Sequence, residues 1–246
     1  MAWMARTNAG LAAIYAVAVL MWASAAEAGL VIRGTRIIYP AQEREVSIQL
    51  ENKGNDPVLV QSWLDLGDAA VAPSDIQAPF TLSPPIFRMD ADKRQVVRML
   101  YSGEPLATDR ESVFWINFLE VPPKAAGANY LQFTYRTRLK VFFRPASLSD
   151  DPALAPRKMR WTVVSEAGKH YLEAHNPTPY FVSLFKADVQ ASGQKPVEVP
   201  VDMVKPFSSE RFAIPSQAQA FKPGVLLRFQ AVNDFGGIVD AETRLQ

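Results

Sequence analysis

The chain has 246 residues, 48% of them hydrophobic and 21% charged, which is enough apolar material for one or two packed domains and excludes a disordered or fibrous composition. Lysine and arginine (26) nearly balance aspartate and glutamate (25), for a formal net charge of +1. No bulk field therefore favours nucleic acid or an anionic membrane, and any cationic site must be local.

The N-terminus reads as a secretory signal. Arg6 supplies a positive start, "GLAAIYAVAVLMWA" an apolar stretch, and "ASAAEA" small-residue cleavage sites. Cleavage is expected after Ala28, with Ala25 and Ala26 as alternatives, so residues 1–28 are assigned to the signal. The other reading, an uncleaved anchor helix, is disfavoured because the apolar run is short for a bilayer. No later segment has eighteen consecutive apolar residues, so no membrane insertion is expected after cleavage. An exported chain without cysteine must hold its cores without disulfides.

"LVIRGTRIIYP" (Leu30 to Pro40) reads as a first strand ended by Pro40. "EVSIQLENKG" alternates Val46, Ile48 and Leu50, then turns at Asn52-Lys53-Gly54. "PVLVQSWLDL" is a third strand with Trp63 as expected core anchor. "PFTLSPPIFRMDADKRQVVRMLY" gives two short strands around a Pro-rich turn, and "ESVFWINFLEVPP" another strand closed by Pro122-Pro123. After the short loop "KAAGAN" comes "YLQFTYRTRLKVFFRP" (Tyr130 to Pro145). Leu131, Phe133, Tyr135, Leu139, Val141 and Phe143 fall on its odd positions, with Gln132, Thr134, Arg136, Arg138 and Lys140 between them. That is a half-buried β-strand by period, much longer than the usual 5 or 6 residues or so. About seven strands with almost no helical periodicity argue for an all-β, immunoglobulin-like sandwich.

"ASLSDDPALAP" marks a domain boundary, giving domains at 29–148 and 149–246. Beyond it "RWTVV", "HYLEAH", "YFVSLFKADV", "RFAI", "LLRFQAV" and "IVDAETRL" form a second, smaller β-sandwich.

Catalytic chemistry is hard to find. There is no thiol nucleophile and no Cys-based metal site. His170 and His175 lie in one predicted strand with an odd separation, so they point to opposite faces and are poorly placed to share a metal. No nucleophile elbow, zinc-protease motif, phosphate loop or dinucleotide fingerprint occurs, and Asp150-Asp151 reads as a solvated linker pair. No enzyme activity, metal or cofactor is expected.

"LATDRESVFWINFLEVPP" (Leu106 to Pro123) resembles the signature of the periplasmic pilus-assembly chaperones of the chaperone–usher pathway, through Asp109, Arg110, Glu111, Ser112, Trp115, Asn117, Val121 and Pro122. Phe118 departs mildly, standing where that family usually has a smaller aliphatic residue. "RLKVFFRP" is similar to the end of the family's last strand in its first domain. "NPTPYF" (Asn176 to Phe181) and "NDFGG" (Asn233 to Gly237) resemble landmarks of its second domain.

The resemblance implies an L-shaped pair of immunoglobulin-like domains around a cleft, and a non-enzymatic function. Such a chaperone binds pilus or fimbrial subunits whose sandwich lacks its last strand. It lends its own long strand and delivers the subunit to an outer-membrane usher. The implied donor residues are Leu131, Phe133 and Tyr135. Arg36 and Lys140 would anchor the subunit's C-terminal carboxylate, and Glu111, Arg144 and Asp234 would tie the two domains together. By parity Lys140 and the donor residues lie on opposite faces, which a bulge or strong twist would have to reconcile. The family's second domain often carries a disulfide that this chain lacks. The short loop from Lys124 to Asn129 implies the subgroup serving rod-like pili or adhesive fimbriae. The exposed strand also offers a route to self-association. The competing readings are a secreted β-sandwich subunit or adhesin, which typically carries a disulfide and lacks its final strand, and a secreted hydrolase, for which the chain has no catalytic constellation.

Overall fold

A computed structural model describes residues 29–124, 131–191, 193, 195–215, 221 and 224–246. The signal segment 1–28 and most of the loop before the long strand, residues 125–130, lie outside the described residues.

The first domain is a two-sheet β-sandwich. One sheet has the strand order β1 (Leu30–Ile32), β3 (Glu45–Asn52), β7 (Arg94–Tyr101), β5 (Phe80–Ser83). The other runs β2 (Arg36–Pro40), β9 (Tyr135–Arg144), β8 (Ser112–Val121), β4 (Val58–Asp65), β6 (Ile86–Met89). The expected single first strand is thus two. Gly34, at φ +95°, supplies a backbone conformation open mainly to glycine, and there the chain leaves one sheet and joins the other. The Pro-rich stretch yields three strands, not two, so this domain has nine strands among the described residues. Its core gathers the inward side chains of both sheets, among them Tyr39, Leu50, Val60, Met99, Ile116, Phe118, Val141 and Phe143.

Trp63 is not the expected core anchor. It is only partly buried, on the outer face of β4, where the Arg136 guanidinium lies 4.9 Å from its ring centre. In β4 the buried set is Val58, Val60, Ser62 and Leu64, and Trp63 falls on the alternate, outward face.

A short 3₁₀ turn (Pro152–Leu154) and a one-turn helix, α1 (Ala155–Lys158), connect the domains. The second domain packs a sheet of β10 (Arg160–Glu166), β11 (Lys169–Asn176) and β15 (Ser208–Ala213) on a sheet ordered β13 (Val197–Val199), β12 (Val182–Gln190), β16 (Leu226–Val232), β17 (Ile238–Arg244). β14 (Met203–Val204) also pairs with β12. β13 and β14, of three and two residues, are too short to show a period and have no counterpart among the predicted strands. Trp161, Leu172, Leu227 and Phe229 lie in this separate core. The architecture is all-β, two sandwiches in series.

Candidate functional site

β9 organises the site. β8 pairs along it from Ser112↔Phe143 to Glu120↔Tyr135. On the other side β2 runs parallel and covers only its second half, from Arg36↔Lys140 to Pro40↔Arg144. Among the described residues, no strand pairs with that side of Tyr135–Leu139. Both ladders are continuous, so no bulge in β9 reconciles Lys140 with the donor residues. Within the strand, Tyr135 and Lys140 lie on opposite faces.

On the odd face, Val141 and Phe143 are buried in the core and Leu139 packs against it. Towards the N-terminus the chain runs on past the end of β9. Leu131 is 78% exposed, Phe133 58% and Tyr135 64%. The strand itself begins only at Tyr135, so Leu131 and Phe133 lie in an extension that is not yet strand. The adjoining Gln132 side chain donates to the Pro122 carbonyl, 2.9 Å away.

The even face carries four cations and a phenylalanine in sequence: Arg136, Arg138, Lys140, Phe142 and Arg144. Arg138 makes two hydrogen bonds to the carboxylate of Asp65, a residue 1% exposed, and its guanidinium lies 4.7 Å from the Trp115 ring centre. Arg136 donates to Asn117 Oδ1 at 2.9 Å and to the Ala69 carbonyl at 2.8 Å. Asn117 in turn donates to Asp65 at 2.8 Å. Burial alone would push the Asp65 carboxyl up, but the bonds from Arg138, Asn117 and the Gly67 amide hold it below the usual carboxylate range.

Further along, this face meets the second domain. Phe142 packs on Phe181, with ring centres 5.7 Å apart. Arg144 Nε donates to Glu111 Oε1 at 2.7 Å, and its two Nη atoms donate to the two Asp234 oxygens at 2.7 and 3.0 Å. The second Glu111 oxygen accepts the Phe181 amide at 2.8 Å. The three expected charges therefore meet, one carboxylate from each domain on one guanidinium. Burial raises the Glu111 carboxyl even against the pull of Arg144. Burial would lower the Arg144 guanidinium, yet its bonds to Asp234 and Glu111 raise it. Two turns aim these groups. Asn176, fully buried, accepts from the Thr178 amide and hydroxyl and donates to the Tyr180 carbonyl, which shapes "NPTPYF". Asn233 accepts from the amides of Phe235 and Gly237, which closes "NDFGG". Gly236 is at φ +83°, and a Cβ there would sit 2.6 Å from Thr35 Oγ1 of the first domain, so only glycine fits this close approach.

Arg36 and Lys140 stand opposite each other at the point where β2 stops covering β9. Arg36 Nη1 donates to the Val232 carbonyl at 2.8 Å, its guanidinium lies 5.8 Å from the Phe142 ring centre, and its Nε is buried with no hydrogen-bond partner among the described residues. Lys140 Nζ lies 3.7 Å from Asp202 Oδ1. Burial, with Arg36 and Arg138 close by, lowers the Lys140 ammonium although Asp202 opposes this. Burial likewise lowers Arg36. Two half-buried cations with unfilled hydrogen-bonding capacity at a strand junction suit an anion.

Asp65, Asn117, Arg138 and Asp202 belong to this environment and sequence reasoning assigned them no role. The even-position cations of the long strand were a signal for Arg138. Asp202 reaches the site from the second domain and left no local signal. His170 and His175 bond separate serines, Ser165 and Ser209. Among the described residues, no group of three or more His, Asp or Glu is placed to hold a metal, and no helix is long and apolar enough to cross a membrane.

Comparison with known proteins agrees with this architecture across both domains. Residues 29–149 match the family model "Pili and flagellar-assembly chaperone, PapD N-terminal domain", and residues 154–243 match "Pili assembly chaperone PapD, C-terminal domain". The chain is 42% identical to the probable fimbrial chaperone YadV of Escherichia coli K12, over 92% of this chain and 94% of that one. It is 40% identical to the chaperone protein FimB/FhaD of Bordetella pertussis, over 95% of both. The crystal structure of YadV superposes with a TM-score of 0.77 at 41% identity, covering 89% of this chain and all of that one. The SafB chaperone, in its Salmonella enterica complex with the SafA pilin, gives 0.72 at 28% identity, covering 88% and 96%.

Proposed function

The chain belongs to the pilus-assembly chaperone family, and from that premise we propose that it is a periplasmic chaperone that caps pilus or fimbrial subunits with its long strand and passes them to an outer-membrane usher. The observation that carries this reading is the exposed apolar row Leu131, Phe133 and Tyr135, leading into a strand whose edge from Tyr135 to Leu139 is, among the described residues, unpaired on one side. A permanently exposed edge of this kind is a hazard for an ordinary protein. For a protein whose guests lack a strand it is the working part. Burying each such side chain in a guest contributes roughly 1.5–3 kcal/mol, so the three supply about 4–9 kcal/mol before ordering costs.

The ladder geometry supports the anchor reading. A guest strand on the free edge, in line with β2 and parallel to β9, ends at Arg36 and Lys140. Its terminal carboxylate then meets two cations. An antiparallel guest would bring its ammonium there and be repelled. The anchor thus selects direction and register on the even face, while the donor residues fill the guest on the odd face. Opposite faces are what this division of labour needs. Arg144, Glu111 and Asp234 hold the cleft in which the guest's end sits.

Both sandwiches close with a last strand of their own, β9 and β17, which speaks against a fibre subunit that must borrow one. The test is co-purification from periplasm together with co-expressed subunits. A subunit should travel with the chain in equimolar ratio and be lost with Phe133→Asp, which would drive a carboxylate into an apolar groove. Recovery of the same subunit with Phe133→Asp would overturn the reading.

A further inference from the structure

Among the described residues, Lys140 has an acidic neighbour across the domain boundary, Asp202, that is not part of the Arg144 cluster. Asp202 Oδ1 lies 3.7 Å from Lys140 Nζ, and its side chain is 85% exposed. That oxygen also accepts the Met203 amide at 2.7 Å. Met203 is held in β14 opposite Ser183, so the carboxylate is carried by an ordered segment. The charges around the anchor divide unequally. Glu111 and Asp234 are both bonded to Arg144 and cannot turn to a newcomer without breaking the link between the domains. Among the described residues, Asp202 is held by the Met203 amide and by Lys140, and it is open to solvent, so it can give way at little cost.

We propose that Asp202 is the resident counter-ion of Lys140, which a guest's C-terminal carboxylate must displace, so that Asp202 sets how tightly that carboxylate is held. Capture is then an exchange of one carboxylate for another at Lys140. Before capture the ammonium is kept from unproductive anions. After capture the displaced Asp202 stays near the bound carboxylate and repels it, which weakens the anchor and favours release. The proposal rests on the anchor reading above and adds to it a residue from the second domain.

The test uses the full chain with two labelled synthetic peptides of alternating valine and threonine. One ends in a free carboxylate and the other in a carboxamide, and binding is followed by fluorescence anisotropy. Asp202→Asn, and Asp202→Ala as a second variant, should tighten the carboxylate peptide about two- to five-fold, the range set by an exposed ion pair. The carboxamide peptide should be unaffected, and the gain should vanish in a Lys140→Ala background. Unchanged affinity for the carboxylate peptide overturns the proposal, as does an equal gain with the carboxamide or a gain that survives Lys140→Ala. If the wild-type chain binds both peptides equally, the anchor reading itself has failed and the proposal falls with it.

Discussion

Leu131, Phe133 and Tyr135 share the odd positions of one segment with Leu139, Val141 and Phe143, yet the two halves of that segment meet opposite fates. The second half has β8 on one side and β2 on the other, and Val141 and Phe143 are buried. The first half has lost β2, then β8, and its side chains stand in water. The residues are of the same kind, so hydrophobicity does not decide between them. What decides is how far the neighbouring strands extend. The segment outruns its own sheet, which is what the proposed donor role requires, and the even face records where this happens. Arg138 and Arg136 are bolted to Asp65, Asn117 and the Ala69 carbonyl beside the last paired residues, so the free half projects from a fixed base.

The largest expected effect pits one half against the other. Phe143→Ala should cost about 3–5 kcal/mol of first-domain stability, as for other buried phenylalanines. Phe133→Ala should leave the urea midpoint of the free chain nearly unchanged and abolish or severely reduce subunit capture. If Phe133→Ala unfolds the free protein, the first half is core and the division is wrong.

The alternation of these residues was plain in the sequence, and it gave both the strand and the two faces. The boundary between the halves was not, because it depends on where β2 begins, and that is set by Gly34 in a distant segment. Trp63 shows the opposite case: it is in step with Leu59 and Gln61, out of phase with the buried Val58, Val60 and Leu64, so the alternation of β4 already places it on the outer face, under Arg136. Glu111, Arg144 and Asp234 could be named from motif resemblance, and their meeting on one guanidinium is a tertiary fact. Asp202 precedes a strand of two residues, too short to leave a period, so nothing marked its approach to Lys140.

The next effect concerns the junction that holds the second half to the other domain. Asp234→Asn and Glu111→Gln each leave Arg144 short of a carboxylate, and each should cost about 3 kcal/mol, the lower end for a buried pair, because Arg144 is partly open to solvent. Small-angle scattering should show a wider spread of interdomain angles while the β-structure of each domain persists. Subunit capture should fall although Arg36 and Lys140 are intact. An unchanged envelope with unchanged capture would mean the cluster does not set the cleft.

At the boundary itself, Lys140→Ala and Arg36→Ala should each weaken subunit binding by about 1.5–3 kcal/mol, the worth of a charge-assisted hydrogen bond. The melting temperature of the free chain should stay within a few degrees, because neither side chain fills the core. Calorimetric titration with a subunit, with and without its terminal carboxylate, checks this. Equal losses for both subunit forms would place the two cations elsewhere in the interface.

The smallest effect shows itself only in acid, and it probes the bolt beneath the free half. Asp65 is held ionised by Arg138 and Asn117, with its carboxyl below the usual range. A carboxylate whose folded pKa lies below its unfolded value near 4 contributes stability that is fully present above that unfolded value. The contribution is lost as the pH falls through the depressed folded value. The wild-type chain should therefore lose stability below about pH 4 more steeply than Asp65→Asn, which is weaker at neutral pH but has no proton to take up there. Urea midpoints across this range give the difference directly, since the other carboxylates are common to both chains. Hydrogen exchange adds the location: the amides of Tyr135–Leu139 should open in wild type over the same window, while those of Val141–Arg144 stay protected by β2 and β8. Parallel acid limbs would show that Asp65 is not what fixes the base of the donor half.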